Sequence, residues 1–153
     1  MYGKVNNKTA RYNLCFNDTS QEPDYEAGKG RIVAFDEIKL TNIIRNRLPE
    51  FFGDKAKNLV AEGNLYYNIN YNGIGYHGDS ERKIVIAIRL GNSFPLRYQW
   101  YRDSSPIGEH IDINLNAGDI YIMSDKAVGY DWKKKKILTL RHAAGCKDYI
   151  DLK

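Results

Sequence analysis

His77, Gly78 and Asp79 place an imidazole and a carboxylate two residues apart in extended chain, which turns both side chains to one side of it. Two such groups form half of a metal site left open on its other side. The 2-His-1-carboxylate arrangement binds non-haem iron(II) through one face of an octahedron and leaves the remaining positions for co-substrate and oxygen. The same three residues also arise where a surface histidine stands beside a turn aspartate, so their weight depends on the surrounding chain.

That surrounding chain reads mostly as strands. Residues 64–71, 83–90, 97–101, 110–115, 120–123 and 137–142 are rich in β-branched and aromatic side chains. Turn signals at Asn72-Gly73, Gly91-Asn92, residues 104–108 and residues 116–118 separate them at the spacing of a β-sandwich or barrel. Ahead of the strands, Ile38, Leu40, Ile43, Ile44, Leu48 and Phe51 fall near a 3.6-residue period, which predicts a helix over 36–52 with Asp36 as N-cap and Gly53 as its end. Residues 1–30 are polar and turn-rich but carry Tyr2, Tyr12, Leu14, Phe16 and Tyr25, the pattern of an ordered flap. The expected fold class is mostly β (α+β): one domain over 1–153, with a β core over 64–145 forming a jelly roll, or double-stranded β-helix, and the helix supporting it.

A chain of 153 residues suits one compact domain, and 42% apolar with 27% charged residues is ordinary globular composition. No apolar run is long enough to cross a bilayer and the N-terminus lacks the apolar stretch of a secretory signal, so the expectation is a cytoplasmic protein with no membrane partner. Cys15 and Cys146 stand far apart and read as free thiols. A formal charge of +4 makes a nucleotide or nucleic acid a plausible partner.

The residues around the His-x-Asp resemble the AlkB-like branch of the 2-oxoglutarate and iron(II) dioxygenases. YYNINYNGIGYHGDSERK is similar to that family's Asn and Tyr strand, turn and His-x-Asp segment, and IAIRLGNSFPLRYQW to its Leu-Gly strand and hairpin. INLNAGDIYIMSDKAVGYDW and ILTLRHAAG resemble its Gly-Asp turn and terminal strand, in the same order, from about residue 8 to 145. The resemblance implies that His77 and Asp79 ligate iron(II). It also implies that Arg141 forms a bidentate pair with the distal carboxylate of 2-oxoglutarate, a task suited to a guanidinium. Asn68, Asn70 and Tyr71 fall where the family hydrogen-bonds its co-substrate, and Trp132 coincides with a tryptophan near the metal. Compact versions of this kind are expected of phages and large DNA viruses, which would place the protein in host cytoplasm.

One family feature is absent. Its third ligand, a histidine after the Gly-Asp turn, is replaced by Trp132-Lys133-Lys134. Three readings stay open. Asp131 supplies a second carboxylate; His142 turns inward, if the strand is bulged, since it otherwise faces away from Arg141; or Lys134 occupies the position and makes the site an anion pocket.

The expected function is 2-oxoglutarate- and iron(II)-dependent hydroxylation or oxidative demethylation of a nucleobase or nucleotide. The alternative is a catalytically silent module of the same shape that binds nucleotides, nucleic acid or a phosphorylated signal without turnover. The four lysines at 133–136 serve either as a phosphate grip or as a solvated loop, and Tyr76 and its strand neighbours either as a base-stacking surface or as β core.

Overall fold

The protein is described by a computed structural model covering residues 11–152, so Tyr2 and the start of the expected flap lie outside the described residues. The chain divides into two compact units, Met1–Tyr67 and Asn68–Lys153.

In the first unit, β1 (Tyr12–Asn17) pairs in parallel with β2 (Ile32–Ala34) and antiparallel with β3 (Ala61–Leu65), giving the order β2-β1-β3. Between β1 and β2 the flap closes on itself through bridges Gln21↔Ile32 and Asp24↔Lys29. Helix α1 spans Lys39–Phe52. It starts later than its apolar period implies, because Asp36 belongs to a 3-10 turn, Phe35–Glu37, and Ile38 stands at the N-cap without a side-chain hydrogen bond. Gly53, with φ of 70°, ends it by donating its N–H to Pro49 O. None of the residues of α1 is buried. Its anchor is polar: Arg45 stacks over Phe35 at 4.2 Å, donates to Leu59 O and pairs with Asp18.

The second unit has two antiparallel sheets, the makings of a β-sandwich. The larger has the order β4-β9-β6-β7, from β4 (Gly73–His77), β9 (Thr139–Gly145), β6 (Phe94–Arg102) and β7 (Ser105–Leu115). The smaller pairs β5 (Val85–Ile88) with β8 (Ile120–Met123). The strand expected over 64–71 splits: β3 stops at Leu65, and residues 68–72 form a turn in which Asn72 Oδ1 accepts the Asn68 N–H at 2.7 Å. A tight turn at Asp103 and Ser104, both at positive φ, joins β6 to a longer β7 than residues 110–115 suggest. A short helix α2 (Lys147–Ile150) follows β9.

Alternation along β6 sorts the unit into two faces. Phe94, Leu96 and Tyr98 share one face with His142 and Ala144 of β9, whereas Arg97, Gln99 and Tyr101 share the other with Arg141 and Ala143. The first face meets the small sheet and, with Met123, Leu115 and Val128, forms the main buried cluster. On the second, the Gln99 side chain donates to Ile107 O and fills the register shift between β6 and β7.

The pairing of β4 with β9 decides what faces what. Gly73 opposes Gly145 and Ile74 opposes Ala144, but the register then shifts and His77 opposes His142. One extra residue on β4 makes this a bulge. Without it Tyr76 would stand opposite His142. The two strands are pinned at their other end by close backbone approach: Gly145 has φ of 138°, and a Cβ there would fall 2.4 Å from Gly73 Cα. Gly145→Ala is therefore expected to destabilise the protein by about 3 kcal/mol or more, through strain and the clash together, read as a lower urea midpoint at unchanged slope.

Candidate metal centre

His77 ends β4 and Asp79 lies just past it, fixed by its own N–H donating to Val128 O at 2.8 Å. Gly78 between them has no room for a side chain, since a Cβ would meet Gly129 O at 2.5 Å and Trp132 Cγ at 2.6 Å. The loop over 124–132 thus closes directly against the His-x-Asp backbone. The bulge brings His142 across from His77, with ring centroids 4.3 Å apart. One ligand atom from each of His77, Asp79 and His142 lies within 4.8 Å of the other two. Small side-chain rotations bring such a set onto one ion, whose bonds to nitrogen and oxygen are about 2.0–2.2 Å long.

The donor chemistry fits a divalent transition metal. His77 Nδ1 is 2.8 Å from Gly75 O, in the bulge; donation there leaves Nε2, 4.0 Å from Asp79 Oδ1, with its lone pair free. His142 is 7% exposed, and its Nδ1 is buried without a hydrogen-bond partner. Burial, and then the adjacent His77, push the His142 pKa down to about 3, against a backbone hydrogen bond at Ala127 that raises it. The ring is neutral, which is the form that ligates metal. Arg82 stands 3.5 Å from the other Asp79 oxygen.

Asp131 is not part of this group. Its Oδ2 accepts from Lys126 Nζ at 2.7 Å, because the loop over 126–132 turns it toward Lys126. Lys134 is exposed, in a turn where its N–H donates to Asp131 O. Of the three residues weighed for the missing ligand, His142 is the one grouped with His77 and Asp79, but by another route than a bulge in its own strand: the extra residue is on β4, and β9 stays regular against β6.

Arg141 falls elsewhere. It neighbours His142 on a regular stretch of β9 and pairs with Gln99, so its side chain leaves from the opposite face of the sheet. There its guanidinium lies over Tyr101 at 4.0 Å and 5.3 Å from Trp132. Tyr76 belongs to the same group, edge-on to Tyr101 at 6.0 Å, with its hydroxyl donating to Ile150 O. An Arg141 clamp on a keto acid chelated at the triad therefore does not fit this arrangement. Trp132 packs behind Gly78 on that side as well.

Asn68, Asn70 and Tyr71 also lie away from the triad. They form the turn before β4, where Asn68 Oδ1 accepts the Asn70 N–H and Tyr71 is 73% exposed. The five-residue strand separates that turn from His77 by roughly 13–16 Å at ~3.3 Å per residue. Asn70 lines a separate hollow with Ser93, Phe94 and Lys147.

Two further residues share the triad's face, Tyr98, one of the strand tyrosines weighed above as stacking surface or core, and Arg89, which sequence reasoning missed. Tyr98 lies 6.1 Å from His142, and burial followed by the nearby Tyr121 raises its phenol pKa strongly. Arg89 faces the interior over the Phe94 ring at 5.3 Å. Its signal was the position, an arginine in phase with the inward Val85 and Ala87.

No family model and no solved structure matches the chain. It is 57% identical, over 150 residues, to an uncharacterized protein of Acanthamoeba polyphaga mimivirus. That match covers 98% of this chain and 58% of the relative, so the chain spans rather more than half of the relative's length. Among the described residues no helix is long and apolar enough to cross a membrane, and both cysteines are free.

Replacing His77, Asp79 or His142 by Ala is expected to weaken manganese(II) binding, followed by calorimetry on the full chain, roughly a hundredfold or more. Asp131→Asn and Lys134→Ala should stay within about threefold of the parent, a difference too small for the loss of a ligand.

Proposed function

We propose that the protein is an iron(II)-dependent oxygenase of the AlkB-like, 2-oxoglutarate-using kind, its β-sandwich a jelly roll, acting on a nucleobase or nucleotide. The observation that carries this reading is the ligand set itself. Two histidines and one carboxylate converge from neighbouring strands, and the most buried of them keeps a ring nitrogen without a partner. Two histidines and a carboxylate with open positions suit non-haem iron(II); a structural zinc site would recruit a fourth protein ligand, often a thiolate.

Iron(II), when bound, supplies the centre at which oxygen is activated. The chain's own contribution is orientation and exclusion of water. Gly75 O holds the His77 ring in one tautomer, the Val128 carbonyl holds the Asp79 backbone, and burial keeps His142 unprotonated. Val128, fully buried, lies against the Asp79 backbone and excludes water there. The keto acid is assigned no step through Arg141, because that side chain is on the other face.

The preference for a nucleotide or nucleic-acid substrate rests on the net charge of +4 and on the exposed lysines at 133–136, in the segment that leads from the loop behind Gly78 into β9. The free cysteines, and a relative encoded by a virus of amoebae, favour an enzyme working in cytoplasm. The silent binding module drew its support from a missing third ligand, and the closeness of His142 to His77 and Asp79 weakens that support.

Under anaerobic conditions, iron(II) and 2-oxoglutarate added to metal-free protein should produce a weak visible charge-transfer band, absent in His142→Ala. Admission of oxygen should then release succinate. Failure of the wild-type protein to hold iron(II), or absence of both band and succinate, would return the protein to the class of non-catalytic binders.

A further inference from the structure

A strand at the margin of a sheet leaves one row of backbone N–H and C=O groups without partners, and folded chains keep such margins short or interrupted. Three strands of the second unit follow that rule. β5 and β8 have four residues each, and β4 has five and carries the bulge. β7 departs from it: with 11 residues it is the longest strand described, and among the described residues it pairs with β6 alone. Its devices against pairing lie in its first half, where Pro106 lacks an N–H, Gly108 takes a φ of 66° and the register against β6 shifts. From Ile111 to Leu115 the pairing is regular.

That regular stretch carries apolar side chains left in water. Ile111 opposes Tyr98 and Ile113 opposes Leu96, so both project inward with the buried side of β6. Tyr98 and Leu96 are buried, yet Ile111 is 52% and Ile113 39% exposed. The two-stranded sheet that covers β6 thus stops short of β7. On the outward side His110 and Asp112 stand together, with His110 Nε2 3.6 Å from Asp112 Oδ2. The Asp112 carboxylate already accepts two bonds from Arg97, at 2.6 and 2.9 Å, so it does not repel an approaching strand as a bare charge would.

We propose that β7 is the interface of a homodimer, pairing antiparallel with β7 of a second copy about a twofold axis, so that the two four-stranded sheets become one of eight. An axis normal to the sheet keeps both inward faces on the same side, and the residue on the axis then names the register. With Ile111 there, the isoleucine meets its own counterpart, and His110 stands opposite Asp112 of the partner subunit, twice over by symmetry. An imidazole N–H donates to a carboxylate in that position. Moving the axis to His110 sets two imidazoles against each other, and moving it to Asp112 opposes two carboxylates. Placing it on Ile113 calls on Leu115, which is buried within its own chain. The segment is therefore complementary to itself, which favours a second copy over an unrelated strand.

Sedimentation equilibrium of the full chain at micromolar concentration should give twice the chain mass. Ile111→Lys, which sets two ammonium groups face to face on the axis, should weaken dimerisation roughly tenfold or more. His110→Asp should do likewise by opposing Asp112 of the partner subunit, while His110→Lys should leave the dimer at least as tight as the parent. Both positions are exposed, so an unchanged urea midpoint in dilute samples checks that the fold is kept. Hydrogen exchange over residues 109–115 should slow as the parent is concentrated, and should not slow in Ile111→Lys. A parent that stays monomeric throughout overturns the proposal. So does a dimer that tolerates Ile111→Lys but is lost in Ile122→Lys, since Ile122, 50% exposed, lies on the outward side of the small sheet. Equal loss in His110→Lys and His110→Asp overturns the register centred on Ile111.

Discussion

The bulge between Ile74 and His77 decides which side chains of β4 and β9 meet, and the candidate site depends on that choice. In an antiparallel pair, opposed residues project to the same face, so a shift of one residue exchanges the faces of everything beyond it. Ahead of the bulge, Gly73 and Gly145 hold the strands in a register only glycine permits there. Beyond it, His77 joins His142 on the inward face and Tyr76 is left with Arg141 and Tyr101 on the outward one. The bulge also sets the Gly75 carbonyl beside His77 Nδ1, so the feature that aims the ring fixes its tautomer as well.

This explains what the sequence could and could not reveal. His-x-Asp was visible as a pair because two residues of extended chain share a side, whatever sheet they enter. Strands β5, β6 and β8 were visible from β-branched and aromatic runs bounded by glycine turns, and β8 has the expected limits. Register was not visible, for it lies in a relation between segments some 65 residues apart in the chain, of which neither carries the information alone. His142 therefore stood as one of three options, while Arg141, to which the resemblance gave the co-substrate role, leaves β9 from the face opposite His142. Asn68, Asn70 and Tyr71 lie in a turn of their own, and asparagines that satisfy the backbone of their own turn look, in a sequence, like asparagines waiting for a ligand. Helix α1 had its period read correctly, but its start was set by the 3-10 turn at Phe35–Glu37, and Arg45 rather than an apolar residue provides its anchor.

The two faces of β9 divide the work between chemistry and support. Outward, Arg141 lies over Tyr101, next to the indole of Trp132, and a stacked guanidinium of this kind holds aromatic rings in place through its flat face. Trp132 in turn backs Gly78, where no side chain would fit, and so fixes the backbone between the two ligands of the His-x-Asp. Arg141 thus reaches the site through packing, across the sheet.

Two imidazoles with centroids 4.3 Å apart, one of them almost wholly buried, form an arrangement that only certain charge states tolerate. Protonating both would bury charge and set like charges against each other in a medium that screens them poorly, and the His142 pKa is depressed by burial first and by His77 second. Leaving both neutral preserves a buried ring nitrogen with no donor to accept from, which costs the hydrogen bond it would have made in water. A cation shared with Asp79 relieves both difficulties, because it accepts the lone pairs of neutral imidazoles and offsets the charge of the carboxylate. A related cost falls on Arg89, whose guanidinium lies over Phe94 and whose buried Nε has no hydrogen-bond partner among the described residues. Apolar packing alone gives no account of either group.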